Sequence, residues 1–107
     1  MATVIKVPKQ IHIGGHTYKV FYKPYLSKDD GNRGGINHRK QVIFFEPENP
    51  ASQKNATLLH EILHFIETVF ALNLTDEYVD RIAGGLLQVF SDSFGVEFDW
   101  GDIEKEG

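Results

Sequence analysis

The spacing of apolar residues changes once along this chain, near residue 49. Before that point the pattern is that of strands. "KQIHIGGHTYKVFYKPYL" carries two β-rich runs around Gly14-Gly15, and a Gly-Gly pair between such runs is a hairpin signal. In the second run Tyr18, Val20 and Tyr22 fall on one face and Lys19, Phe21 and Lys23 on the other, as in a strand with one dominant buried face. Pro24 then limits central pairing. Asp29 to Gly35 reads as a turn-rich loop. "GGINH" and "QVIFFE" follow as two short strands joined around "HRK", with Val42-Ile43-Phe44-Phe45 the most apolar strand candidate in the chain. The pattern predicts a small, mostly antiparallel sheet of three or four strands.

After residue 49 the period becomes helical. Asn49-Pro50 suits an N-cap followed by a first helical residue, with Ser52 as a later cap. Leu59, Ile62, Leu63, Ile66 and Phe70 then form one apolar stripe, and this helix is expected to end between Ala71 and Asn73. A second helix is expected to start at Thr75, a good N-cap, with Asp76 and Glu77 at its positive end. Its stripe is Val79, Ile82, Ala83, Leu86, Leu87 and Phe90. Gly84-Gly85 inside it costs about 1 kcal/mol each against Ala, and fits either close helix packing or a local break. The tail "VEFDWGDIEKEG" reads as a short strand or a loosely docked acidic end, in which Trp100 either pins the tail or forms a partner surface. The expected class is α+β in one domain over 1–107: a β-rich half (1–48), a helical half (49–92) and an acidic tail (93–107).

Composition narrows the chemistry. The 107 residues allow one modest core. Net charge is −4 and no basic run exceeds two residues, so no nucleic-acid partner is expected, and "NHRK" reads as a solvated turn. There are no cysteines, which removes disulfides, thiolate metal sites and cysteine nucleophiles. "MATVIKVPKQ" lacks the apolar stretch of a signal peptide and nothing approaches a membrane span. A cytoplasmic protein is the expectation.

Within the first expected helix stands "ATLLHEILHFIE", with His60, Glu61 and His64 at the H-E-x-x-H spacing. A helix advances about 100° per residue, so His60 and His64 are neighbours one turn apart. Two imidazoles so placed can converge on one tetrahedral Zn2+ at roughly 2.0–2.1 Å. Glu61, on an adjacent side, can take the proton of a water that zinc has acidified, then deliver it to a leaving amine. The histidines lie beside Leu59 and Leu63, so the helix can bury one side and offer the other to a cleft.

A catalytic zinc needs a third protein ligand. No third histidine follows at the longer zinc-protease spacings, and position 67 is Glu67, placed better to hold a ligand in orientation than to bind zinc. The second helix supplies the candidates. Asp76 projects near the apolar stripe and Asp80 at its edge, while Glu77 points further away but has the longer reach. Asp76 or Asp80 is favoured over Glu77, and as i, i+4 neighbours one could bind zinc while the other holds a histidine ring. His12, His16 and His38 read as exposed turn histidines, and Tyr18, Tyr22 and Tyr25 as strand aromatics before oxyanion donors.

With its β-rich half, "TLLHEILHFIE" and "LTDEYVDRIAGGLLQVFSD", the chain resembles the small phage- and prophage-encoded zinc metallopeptidase-like proteins, and more broadly the minimal zincins of the ImmA/IrrE and SprT type. The likeness runs from about Ile11 to Asp92, and H-E-x-x-H is its specific part. It implies a minimal zincin-like fold: a small sheet packed on the active-site helix, with a second helix supplying an acidic ligand. It also implies His60 and His64 as ligands, Glu61 as general base, and an edge strand matching "QVIFFE" that binds a peptide or protein substrate by strand addition. A non-enzymatic phage accessory protein with a structural or vestigial zinc site, contacting partners through Trp100 and the tail, is the alternative reading.

Overall fold

The Gly14-Gly15 pair does turn the chain. Both residues lie at positive φ, 57° and 81°, where glycine carries no side-chain penalty. They join β2 (Gln10–Ile13) to β3 (His16–Tyr22) in an antiparallel ladder. The computed structural model describes residues 2–23, 34–37 and 39–105. The loop expected before Gly34, together with Pro24, Tyr25 and His38, lies outside the described residues.

β4 (Gly34–Asn37) and β5 (Val42–Phe45) pair antiparallel around the turn at residues 39–41, where Asn37 Oδ1 accepts the Lys40 N–H at 3.0 Å. β5 then runs parallel to β3, giving the order β2-β3-β5-β4. This corrects one expectation. The strand at 41–46 is no edge: β5 is bonded on both sides, and among the described residues the sheet ends at β2 on one side and at β4, beside β5, on the other. The cause lies in composition, since Val42, Ile43 and Phe45 are buried as a central strand demands.

α1 (Ala51–Val69) starts one residue later than expected. Pro50 is its N-cap, with no side-chain acceptor, and the Pro50 carbonyl receives the Gln53 and Lys54 N–H groups. The helix lays Leu58 and Phe65 on the sheet, with Ile62 packed against the same cluster. Tyr18 and Phe65 meet at 4.3 Å between ring centroids, and Val20, Ile43 and Phe45 complete the sheet side. The sheet-facing stripe is therefore turned from the expected one. Leu59 is buried outside that cluster, Leu63 and Ile66 are half-buried, and Phe70 is exposed at the C-cap. A helix packed against both a sheet and a second helix carries a wide apolar arc, and periodicity does not say which part meets which neighbour.

α1 closes in a Schellman-type turn: Ala71 takes φ 56°, and Leu72 N–H bonds the Glu67 carbonyl at 2.9 Å. α2 (Asp76–Gln88) follows, with Thr75 Oγ1 accepting the Tyr78 N–H as expected. Val79 and Ala83 are buried, whereas Ile82 and Leu86 are exposed. Gly84-Gly85 causes neither a break nor a close packing: the helix runs through it, and a Cβ at either position would meet open space. A π-helical turn (Val89–Ser93) leads out.

The tail is built into the fold. β6 (Val96–Asp99) pairs parallel with β1 (Thr3–Lys6), a second small sheet, and Val7 N–H continues the contact to Asp99 O at 2.8 Å. Trp100 is buried edge-on to Phe45, with Nε1–H donating to Asn55 Oδ1 at 2.7 Å. It pins the tail and offers no partner surface. Ile103 is buried beside it, and β7 (Glu104–Lys105) joins β3. The class is α+β: a small sheet, whose antiparallel pairs carry the larger part of its ladder, packs on α1, and α2 packs on α1. No helix among the described residues is long and apolar enough to cross a membrane.

Candidate metal centre

One turn of α1 brings the two imidazoles together. The His60 and His64 ring centroids are 4.6 Å apart and the Nε2 atoms face each other at 3.0 Å. Their other nitrogens are each held by a carboxylate. His60 Nδ1 lies 2.6 Å from Asp80 Oδ1, and His64 Nδ1 lies 3.1 Å from Glu67 Oε1. Glu67 Oε2 accepts the Leu74 N–H at 2.7 Å. That amide, with His64 second, holds the Glu67 carboxyl below the usual carboxylate range.

α2 contributes by its first turn. Asp76 Oδ1 stands 3.6 Å from His64 Nε2, on the nitrogen that faces His60. The two aspartates left open by the sequence thus occupy different places, Asp76 on the Nε2 side and Asp80 behind His60. Glu77 is drawn away into an ion pair with Arg81 on its own helix.

Glu61 sits at the border between the histidines and the core. It is buried, and its Oε2 has no hydrogen-bond partner among the described residues. Burial pushes its carboxyl above the usual range; His60 and His64 oppose that shift, and Asp76 adds to it. A buried acceptor left unbonded beside two imidazoles is costly unless something comes to meet it.

The donor set suits a small divalent cation. Tetrahedral zinc with ligands at roughly 2.0–2.1 Å sets donor atoms about 3.3 Å from one another. The separations of 3.0 Å between the Nε2 atoms and 3.6 Å from His64 Nε2 to Asp76 Oδ1 bracket that value. Carboxylates on both Nδ1 atoms favour the tautomer that leaves Nε2 free to ligate. Among the described residues no group of three or more His, Cys, Asp or Glu side chains stands in an arrangement that could hold a metal ion.

The remaining sequence candidates fall elsewhere. His12 Nδ1 meets Thr17 Oγ1 at 2.9 Å, and His16 Nδ1 meets Gln41 Nε2 at 3.2 Å. Tyr18 packs in the core, and the Tyr22 hydroxyl accepts from Lys54 Nζ at 3.0 Å. The link from Glu67 to Leu74 N–H was missed by sequence reasoning. It depends on the shape of the turn between the helices, which carries no residue signature beyond its length. Protein-family models, curated proteins and solved structures give no match to this chain.

Proposed function

We propose that the chain is a zinc-dependent metallopeptidase of the minimal zincin kind that its sequence resembles. The observation that carries this reading is the facing Nε2 pair of His60 and His64, with Asp76 on the same side and Asp80 and Glu67 behind the rings. His60, His64 and Asp76 would hold the ion. Zinc, when bound, acidifies water and polarises a peptide carbonyl. The protein's part falls to Glu61. Its Oε2 takes the proton from the attacking water and returns it to the leaving amine, and burial raises its proton affinity toward what both steps need. A peptide substrate would lie along the open edge of β4, which takes the place of the strand at 41–46 in this role. The alternative, a closed structural zinc in an accessory protein, gains nothing from Glu67, whose two oxygens are committed to His64 and Leu74.

The test is direct. Protein prepared without chelator should hold about one zinc per chain by elemental analysis. Glu61→Gln should keep that zinc and lower peptide hydrolysis by a factor of about 100 or more. Metal-free wild-type protein that takes up no zinc on titration would refute the reading.

A further inference from the structure

Glu67 makes three bonds that meet in the turn between α1 and α2. Its carbonyl accepts the Leu72 N–H at 2.9 Å, its Oε2 accepts the Leu74 N–H at 2.7 Å, and its Oε1 lies 3.1 Å from His64 Nδ1. Leu74 leads directly into Thr75, the cap of α2, and Asp76, its first residue. The path from the His64 ring to Asp76 through this carboxylate is thus a few bonds long, and Asp76 Oδ1 ends 3.6 Å from the opposite nitrogen of the same ring.

We infer that Glu67 is a positioning residue that fixes the His64 tautomer and the interhelical turn with one carboxylate, so that the ring and Asp76 are set as a unit. The inference rests on the metal reading for its effect on affinity, and on the hydrogen bonds alone for its effect on ring and turn. The chemistry is specific to a carboxylate. Leu74 N–H and His64 Nδ1–H are both donors, so the side chain between them must offer two acceptors. A glutamine offers one acceptor oxygen and an NH2 group. If its oxygen takes Leu74 N–H, its NH2 faces His64 Nδ1 and requires that nitrogen as an acceptor. The ring proton then moves to Nε2, the atom that faces His60. If the amide is reversed, the half-buried Leu74 N–H loses its acceptor. An aspartate keeps two acceptors but is one methylene shorter.

The test uses the whole chain, wild type and Glu67→Gln, which is close to isosteric and leaves the apolar packing of α1 untouched. Two-bond proton–nitrogen correlation spectra of the metal-free protein report the His64 tautomer, and amide exchange reports Leu74. The wild type should show Nδ1–H at His64 and a protected Leu74 amide. Glu67→Gln should either move the ring proton to Nε2 or speed Leu74 exchange by at least about tenfold, and should weaken zinc binding in chelator competition by about 10- to 100-fold. Glu77→Gln, removing a carboxylate of the same charge from the Arg81 pair, should leave all three readouts near wild type. The inference is overturned if Glu67→Gln keeps both the tautomer and the Leu74 protection, or if it binds zinc as wild type does. Wild-type protein that takes up no zinc overturns the affinity link together with the metal reading. That failure is recognisable, because the tautomer and exchange measurements still register whether Glu67 joins ring to turn.

Discussion

Two histidine pairs in this protein have the same spacing, and only one of them brings its rings together. His12 and His16 are four residues apart, as are His60 and His64. The first pair straddles a hairpin turn. There His12 stands opposite Thr17 and Ile13 opposite His16, and cross-strand partners share a face while successive residues alternate. The two rings therefore leave the sheet on opposite sides and bond to different neighbours, Thr17 and Gln41. The second pair lies on α1, where four residues make about one turn, and the rings meet at 3.0 Å. The backbone period, more than the histidines, sets one pair of rings face to face. The neighbours differ as well: carboxylates stand behind His60 and His64, a hydroxyl and an amide beside His12 and His16.

That contrast can be broken most severely at the rings. His60→Ala or His64→Ala should remove essentially all bound zinc, whereas His12→Ala and His16→Ala should retain about one ion per chain, as read by elemental analysis after dialysis. Equal loss from both pairs would erase the distinction. Next come the two aspartates. Asp76→Asn should weaken zinc binding by about 100-fold or more as a lost ligand, and Asp80→Asn by about 10-fold as a lost orienting partner, measured by chelator competition. The reverse order would exchange their roles.

The hairpin side has its own sensitivity, to stability instead of metal. At Gly14 an added Cβ would lie 2.6 Å from Val69 Cγ1 at a φ of +57°, so Gly14→Ala should lose about 2–4 kcal/mol in urea unfolding. Gly15→Ala meets open space at a φ of +81° and should lose about 1 kcal/mol. The smallest effect has the opposite sign. Gly84→Ala or Gly85→Ala, in an uninterrupted helix with nothing near the new methyl, should raise stability by about 0.5–1 kcal/mol.

Local signals were legible in the sequence and distant partners were not. The Gly14-Gly15 turn, the Thr75 cap, the β4–β5 pair and the adjacency of His60 and His64 all follow from residues within a few positions of one another. The parallel pairing of β3 with β5 does not, and it makes Val42–Phe45 central where the resemblance implies an edge. The same limit applies to α1. Its pattern announced a buried side, but Leu58 and Phe65 face the sheet, and which apolar positions do so is set by where the sheet lies. For a third metal donor the sequence narrowed the choice to the start of α2, Asp76 or Asp80 before Glu77. Only the placement of that helix separates Asp76 from Asp80 and sets Glu77 aside.

The pairing of β1 with β6 has a consequence for the order in which the protein is made. Thr3 finds its partner in Val96, so β1 leaves the ribosome well before β6 and stays unpaired until the helices between them have followed. The hairpin of β2 and β3, and the helix bearing His60 and His64, need no such delay, since their partners lie close behind them on the chain. The wait is cheap in exposed apolar surface, because Val4 and Ile5 remain in contact with solvent even after the ladder has closed. Val7, buried almost completely, is the residue at that end for which late arrival of the partner strand matters.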